Sequence, residues 1–180
     1  MNKSFFLAGL LYISMSGAFA QPEKLDVVGL VPGEATVGDI SKIKTRLGRY
    51  LIGGYHLNCE ADFTNQKLAE LFCKTDFAFL MDADESGRGR EASNIEVHRT
   101  LLEGYQNKFG APKIESGDVQ TRVGLHHKRE IATWVDKLGN RLILMSIANN
   151  INQGILLLQS AEKISADEAK EKNQKKSREF

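Results

Sequence analysis

The 180-residue chain is 42% hydrophobic and 26% charged, with 24 Lys and Arg against 23 Asp and Glu, a composition that suits one globular domain and is too polar and too short for a multi-span membrane protein. A net charge of +1 lacks the basic excess with which nucleic-acid binders attract their ligand, so neither DNA nor RNA is an expected partner. Two cysteines, Cys59 and Cys73, cannot build a multi-site thiolate zinc framework.

The chain starts with Lys3, an apolar stretch from Phe5 to Met15 and the small-residue site Ala18-Phe19-Ala20. This is the pattern of a secretory signal peptide over residues 1–20, cleaved after Ala20. The apolar stretch falls short of the roughly 20 residues that cross a bilayer as a helix, so no membrane span is expected. No cysteine precedes Cys59, which argues against lipidation at the N-terminus. The mature chain has equal numbers of acids and bases and is expected to be periplasmic or secreted.

Val31-Pro32-Gly33 reads as a turn and Thr36 to Asp39 as a helix start, with Ile40, Ile43 and Leu47 at helical spacing and Gly48 as the stop. From Tyr55 the period becomes two: Tyr55, Leu57, Cys59, Ala61 and Phe63 alternate with polar residues, the mark of a strand with one buried face. Thr64 to Lys67 is a turn and Leu68 to Thr75 a second strand. A loop centred on Gln66 pairs Phe63 with Ala69, Ala61 with Leu71 and Cys59 with Cys73, all on one face. Directly opposed antiparallel residues lie within disulfide reach, and an oxidising compartment favours the Cys59–Cys73 bond.

Phe77 to Met81 fits a strand, and Asp82 to Ala92 reads as a charged loop. Ser93-Asn94-Ile95-Glu96 is a capping box, opening a helix whose stripe is Ile95, His98, Leu102, Tyr105 and Phe109 with Leu101 beside it, closed by Gly110-Ala111-Pro112. Trp134 is expected beneath this helix. Glu115 to Lys128 shows no clear period and is read as a connection. Arg129–Asp136, Arg141–Ala148 and Gly154–Ser160 read as three strands, the last two apolar on both faces as in sheets covered twice.

The expected architecture is α+β: residues 21–162 form a single domain, an antiparallel sheet with two helices packed on it. The parallel between Ala61-Asp62-Phe63 and Ala132-Thr133-Trp134, each leading into a turn and a basic-Leu pair, implies a duplicated helix-plus-hairpin unit. Residues 163–180 form a polar charged tail, helical or disordered, with Glu168 and Lys172 four apart in the favourable order.

Gly29 to Gly33 before a short helix, the hairpin from Cys59 to Cys73, the helix ending Tyr105-Gln106-Asn107-Lys108-Phe109-Gly110-Ala111-Pro112, and Trp134 followed by Gly139-Asn140-Arg141-Leu142 resemble small exported bacterial proteins, mostly uncharacterised. Their architecture is similar to that of the beta-lactamase inhibitor protein and the small outer-membrane assembly lipoproteins. The resemblance implies a fold and a style of action, protein binding through a concave sheet. It carries over no catalytic residue, and a fold does not fix a function.

Asp82-Ala83-Asp84-Glu85-Ser86-Gly87 matches the first half of a calcium loop, but its twelfth position is Ser93 where a bidentate Glu belongs, and Arg88 and Arg90 oppose a cation. A solvated loop is the expectation. His126, His127, Lys128 and Arg129 form a basic cluster suited to an acidic partner surface; adjacent His side chains on a strand point to opposite faces and do not share a metal without further ligands. The resulting expectation is an exported non-enzymatic binding protein without a cofactor: an inhibitor, immunity factor or envelope accessory subunit, with a protein of the envelope or a second copy as partner. The candidate interface is Met145, Ile147, Leu156, Leu158, His126, His127 and Arg129. The competing class is a small periplasmic hydrolase or metal-dependent enzyme built on His126, His127 and the acidic loop.

Overall fold

A computed structural model describes residues 21–45, 48–81, 89–120, 126–148 and 153–178. The signal-peptide reading of residues 1–20 and the calcium reading of Asp82–Gly87 lie outside them. The fold is α+β. The strands β1 (Tyr50–Ile52), β2 (Tyr55–Thr64), β3 (Lys67–Met81), β4 (Gly89–Ala92), β5 (Lys113–Gln120), β6 (His126–Val135), β7 (Arg141–Ala148) and β8 (Gln153–Gln159) accompany the helices α1 (Val37–Ile43), α2 (Asn94–Phe109) and α3 (Ala161–Arg178). Seven strands run in the order β1-β2-β3-β8-β7-β6-β5, every neighbour antiparallel, and β4 pairs with Ala78–Met81 at the far end of β3.

The β2–β3 hairpin turns on Asn65 and Gln66, both at positive φ, the left-handed pair that a two-residue turn between right-twisted strands requires. Cys59 faces Cys73 and Ala61 faces Leu71, and the two sulfurs are bonded. One pairing differs from the expected register: Phe63 faces Leu68, because the turn is shorter by one residue and Ala69 is left over as a bulge between the pairs Asp62–Glu70 and Phe63–Leu68. A larger irregularity sets Leu57 opposite the whole of Thr75–Ala78.

Ser93 Oγ accepts the backbone N–H of Glu96, and Gly110, at φ 83°, donates its N–H to the Gln106 carbonyl, so both ends of α2 are satisfied as the sequence implies. The helix lies over β3, β8 and β7. Its buried stripe is Val97, His98, Leu101, Tyr105 and Phe109. Ile95 is half exposed, on the side away from the sheet. Beneath the helix Trp134 is buried, meets Tyr105 edge-on at 5.9 Å and donates its indole N–H to the Gly110 carbonyl at 2.8 Å. Gly53, at φ 58°, fits under the same helix only as glycine, since a Cβ there would stand 2.6 Å from Leu101 Cδ2.

The sheet face below α2 carries Leu71, Cys73, Ala132, Trp134, Leu142, Leu144, Leu156 and Leu158, all within the single core cluster. Leu156 and Leu158, expected at an interface, are therefore core: the antiparallel register pairs Leu144 with Leu156 and Leu142 with Leu158, which places both leucines on the α2 side. The segment Glu115–Lys128, expected as a connection, begins in β5, whose polar edge position leaves it no apolar period to show. Within the Asp82–Ala92 segment, Gly89–Ala92 forms β4. At the other end of the sheet α1 stops at Lys44, which bridges to Tyr50, so that the helix is shorter than the spacing to Leu47 implies.

The N-terminal segment belongs to the core through Leu25, Val27 and Leu30. Asp136, 2% exposed, fastens it: one carboxylate oxygen accepts the N–H groups of Leu138 and Asn140 at 2.9 Å, and the other accepts the Leu25 N–H at 3.0 Å and the Asn140 side-chain N–H at 2.9 Å. Asn140 Oδ1 in turn accepts the N–H of Ala161 at the start of α3. The polar tail is helical, and from Glu168 to Lys175 every residue is exposed.

Candidate sheet interface

Strand alternation gives the sheet a second face, away from α2. Successive register partners carry it across the strands. One row is Lys113, Thr133, Ile143, Leu157, Phe72 and Glu60, and the next is Glu115, Ile131, Met145, Ile155, Lys74 and Asn58. Ile131, Ile143, Met145, Ile147, Ile155, Leu157 and Phe72 are each half-buried, and none enters the core cluster. No described residue closes over them deeply enough to bury them. In an open sheet, neighbouring side chains shade one another to about this degree while their tips stay wet. Contiguous apolar area of this kind is uncommon on a free surface, where patches seldom exceed a few hundred Å².

One end of the apolar face is fenced by a polar chain: Arg141 donates to the side-chain oxygen Oε1 of Gln159 at 2.7 Å, and Gln159 Nε2 donates to Glu70 at 2.8 Å. Lys163, from the first turn of α3, reaches Asp62 on the neighbouring β2 at 3.7 Å. Along the β5 edge Lys113 pairs with Glu115 at 2.7 Å. The hydrogen bond and the opposite charge together raise the Lys113 pKa and lower that of Glu115.

Of the expected interface residues, Met145 and Ile147 stand on this face. Arg129 is exposed beside Ile147 on β6. His126 and His127 open β6, and their side chains lie outside the described residues. Ile143 shares this face with Met145 and Ile147 by alternation along β7, as the sequence implies, whereas Ile155, Leu157 and Ile131 are absent from the interface expected from the sequence. The apolar character of these residues is plain in the sequence, but assigning them to one surface needs the β6–β7 and β7–β8 registers, which the pattern of a single strand does not contain.

A second polar group sits under the start of α2. His98, buried, contacts Glu130 Oε1 through Nε2 at 3.1 Å, and its Nδ1 has no partner among the described residues. Glu130 faces Ser146 across β6 and β7. This is the packed, hydrogen-bonded histidine that its place on an apolar stripe implies. Among the described residues, shallow grooves also open at the surface: one of about 420 Å³ between Thr36, Val37, Gly38, Phe63 and Gln66, and one of about 190 Å³ beside Trp134, Phe109 and Pro22. No group of three or more metal-ligating side chains is found among the described residues, and none of their helices is long and apolar enough to cross a membrane. The disulfide is compatible with an oxidising, extracytoplasmic location.

Comparison with protein-family models, with curated proteins and with solved structures gives no match to this chain.

Proposed function

We propose that the protein is an exported, non-enzymatic binding protein of the cell envelope, acting as an inhibitor, immunity factor or accessory subunit through the face opposite α2. The observation that carries this reading is the half-buried apolar surface of Ile131, Ile143, Met145, Ile147, Ile155 and Leu157. Water-exposed apolar area of this extent gains free energy by being covered, at roughly 25 cal/mol per Å², and the polar fence of Arg141, Gln159 and Glu70 gives the surface a defined rim. The signal-like start of the chain and the Cys59–Cys73 bond support an oxidising compartment, most simply the periplasm.

The test is a photo-crosslinking residue placed at Met145 in the protein expressed in its own compartment, with one at the exposed Leu138 as control. A discrete adduct at Met145 that is absent at Leu138 and weakened by Ile143→Lys supports docking on the face. Equal labelling at both positions, or none, overturns it.

A further inference from the structure

The open face is self-complementary, and we infer that the partner it takes is a second copy of the chain, docked face to face about a two-fold axis that runs along the strands between β7 and β8. The inference rests on the reading of this face as a docking surface and names its occupant. The apolar centre lies on β8 and β7, flanked by Phe72 of β3 on one side and Ile131 of β6 on the other. Beyond this centre the two flanks differ in charge. Among the described residues, the β2 and β3 side presents Glu60, Asp62 and Glu70 with two cations, Lys74 and the Lys163 that reaches Asp62 from α3; the β5 and β6 side presents Lys113 and Arg129 with one acid, Glu115.

A two-fold axis along the strands sets β7 on β8, β6 on β3 and β5 on β2 of the other copy. The acidic flank of each copy then meets the basic flank of its mate. Because Lys113 and Glu60 end the same cross-strand row, the rotation brings them toward each other twice, once at each side of the interface. An axis across the strands would instead stack β2 on β2, acid against acid. Like-charge contact of that kind disfavours the arrangement and selects the first.

The area is also sufficient. Six strands spaced about 4.8 Å apart and six residues long at about 3.4 Å each present about 600 Å² in projection, so two copies bury about 1,200 Å², the lower bound of specific interfaces. Aligned sheet packing, with about 10 Å between backbones and the strands within about 30° of one another, is the ordinary geometry for two such faces.

The experiment is sedimentation velocity on the purified mature chain between about 1 and 100 µM, the range in which an interface of this size associates. The wild type is expected to show a dimer whose dissociation constant rises at least about 100-fold in Ile143→Lys and Met145→Lys, with Trp134 fluorescence unchanged. Lys113→Glu, at an exposed site that leaves the core untouched, is expected to weaken the dimer about 10-fold, and Lys113→Glu with Glu60→Lys is expected to restore it, keeping the test decisive if the face variants fail to fold. A monomer throughout the range, or a dimer indifferent to all four changes, overturns the inference. The Met145 crosslink separates this inference from the functional reading. An adduct of twice the chain mass supports the self-pair. An adduct of another mass overturns the self-pair and leaves the docking face standing, and no adduct removes both.

Discussion

Replacing Asp136 with Asn changes one atom and tests the latch that ties three parts of the chain together. The carboxylate, 2% exposed, accepts four hydrogen bonds, two on each oxygen. An Asn oriented to keep the Leu138 and Asn140 backbone bonds presents its NH₂ group to the Leu25 N–H and the Asn140 side-chain N–H, donor against donor. Two charge-assisted bonds are lost and two buried donors are left unsatisfied. At about 1.5–3 kcal/mol for each bond to a charged group, the loss sums to about 3–6 kcal/mol. Urea unfolding followed through Trp134, the one tryptophan of the chain and itself buried, reads this directly. With a slope of about 2 kcal/mol per M the midpoint falls by about 1.5–3 M. Removing the neighbouring exposed Lys137–Glu23 pair by Glu23→Ala is expected to change stability by less than about 0.5 kcal/mol. A loss below about 1 kcal/mol in Asp136→Asn would show that water satisfies these donors and that the latch is ornamental.

Other consequences are equally accessible. Tyr105→Phe removes a buried hydroxyl without a partner among the described residues, whose pKa is raised by burial and then by the Asp26 carboxylate; thermal unfolding should show unchanged or higher stability, by up to about 1 kcal/mol, and a clear loss would reveal a bound water. Phe109→Ala opens a cavity beside Tyr105 and should cost about 3–5 kcal/mol in chemical unfolding, whereas less than about 1 would place the helix stripe in solvent. Reducing Cys59–Cys73, which closes a span of 14 residues, should lower stability by about 3 kcal/mol, measured by unfolding with and without reductant. Asp39, hydrogen-bonded to Lys42 and to Thr36, has its pKa held well below the usual carboxylate range. Its contribution is present above the unfolded-state pKa and is lost as pH falls toward the folded one, so Asp39→Asn should flatten the acid limb of the stability profile below about pH 4, and an unchanged limb would refute the assignment.

The elements legible in the sequence are those whose signal is local. The capping box Ser93–Glu96 and the terminator Gly110 bound α2 because each satisfies backbone groups within one turn. The alternation from Tyr55 to Phe63 located β2, and hairpin geometry carried the Cys59–Cys73 pairing with it. What failed depends on distant chain. β5 is an edge strand with Ile114 and Val119 as its only large apolar residues, so its pairing with β6 leaves no period. The core role of Leu25, Val27 and Leu30 follows from Asp136, more than a hundred positions away. Leu156 and Leu158 were grouped with Met145 because each strand reveals two apolar faces, and only the register says which faces coincide.

The strand made last occupies the middle of the sheet. β8 fills the gap between β3 and β7, joining Glu70 to Gln159 and Arg141 to the same Gln159. A chain that emerges N-terminus first therefore holds two unfinished ribbons, β1–β3 and β5–β7, each with one raw border, until Gln153–Gln159 arrives as the keystone. Such borders template association with other chains, and pairing across so long a separation is entropically slow. A premature stop after β7 and before β8 would thus yield a pair of sticky half-sheets in place of a smaller domain, and synthesis is exposed to that hazard until nearly its end.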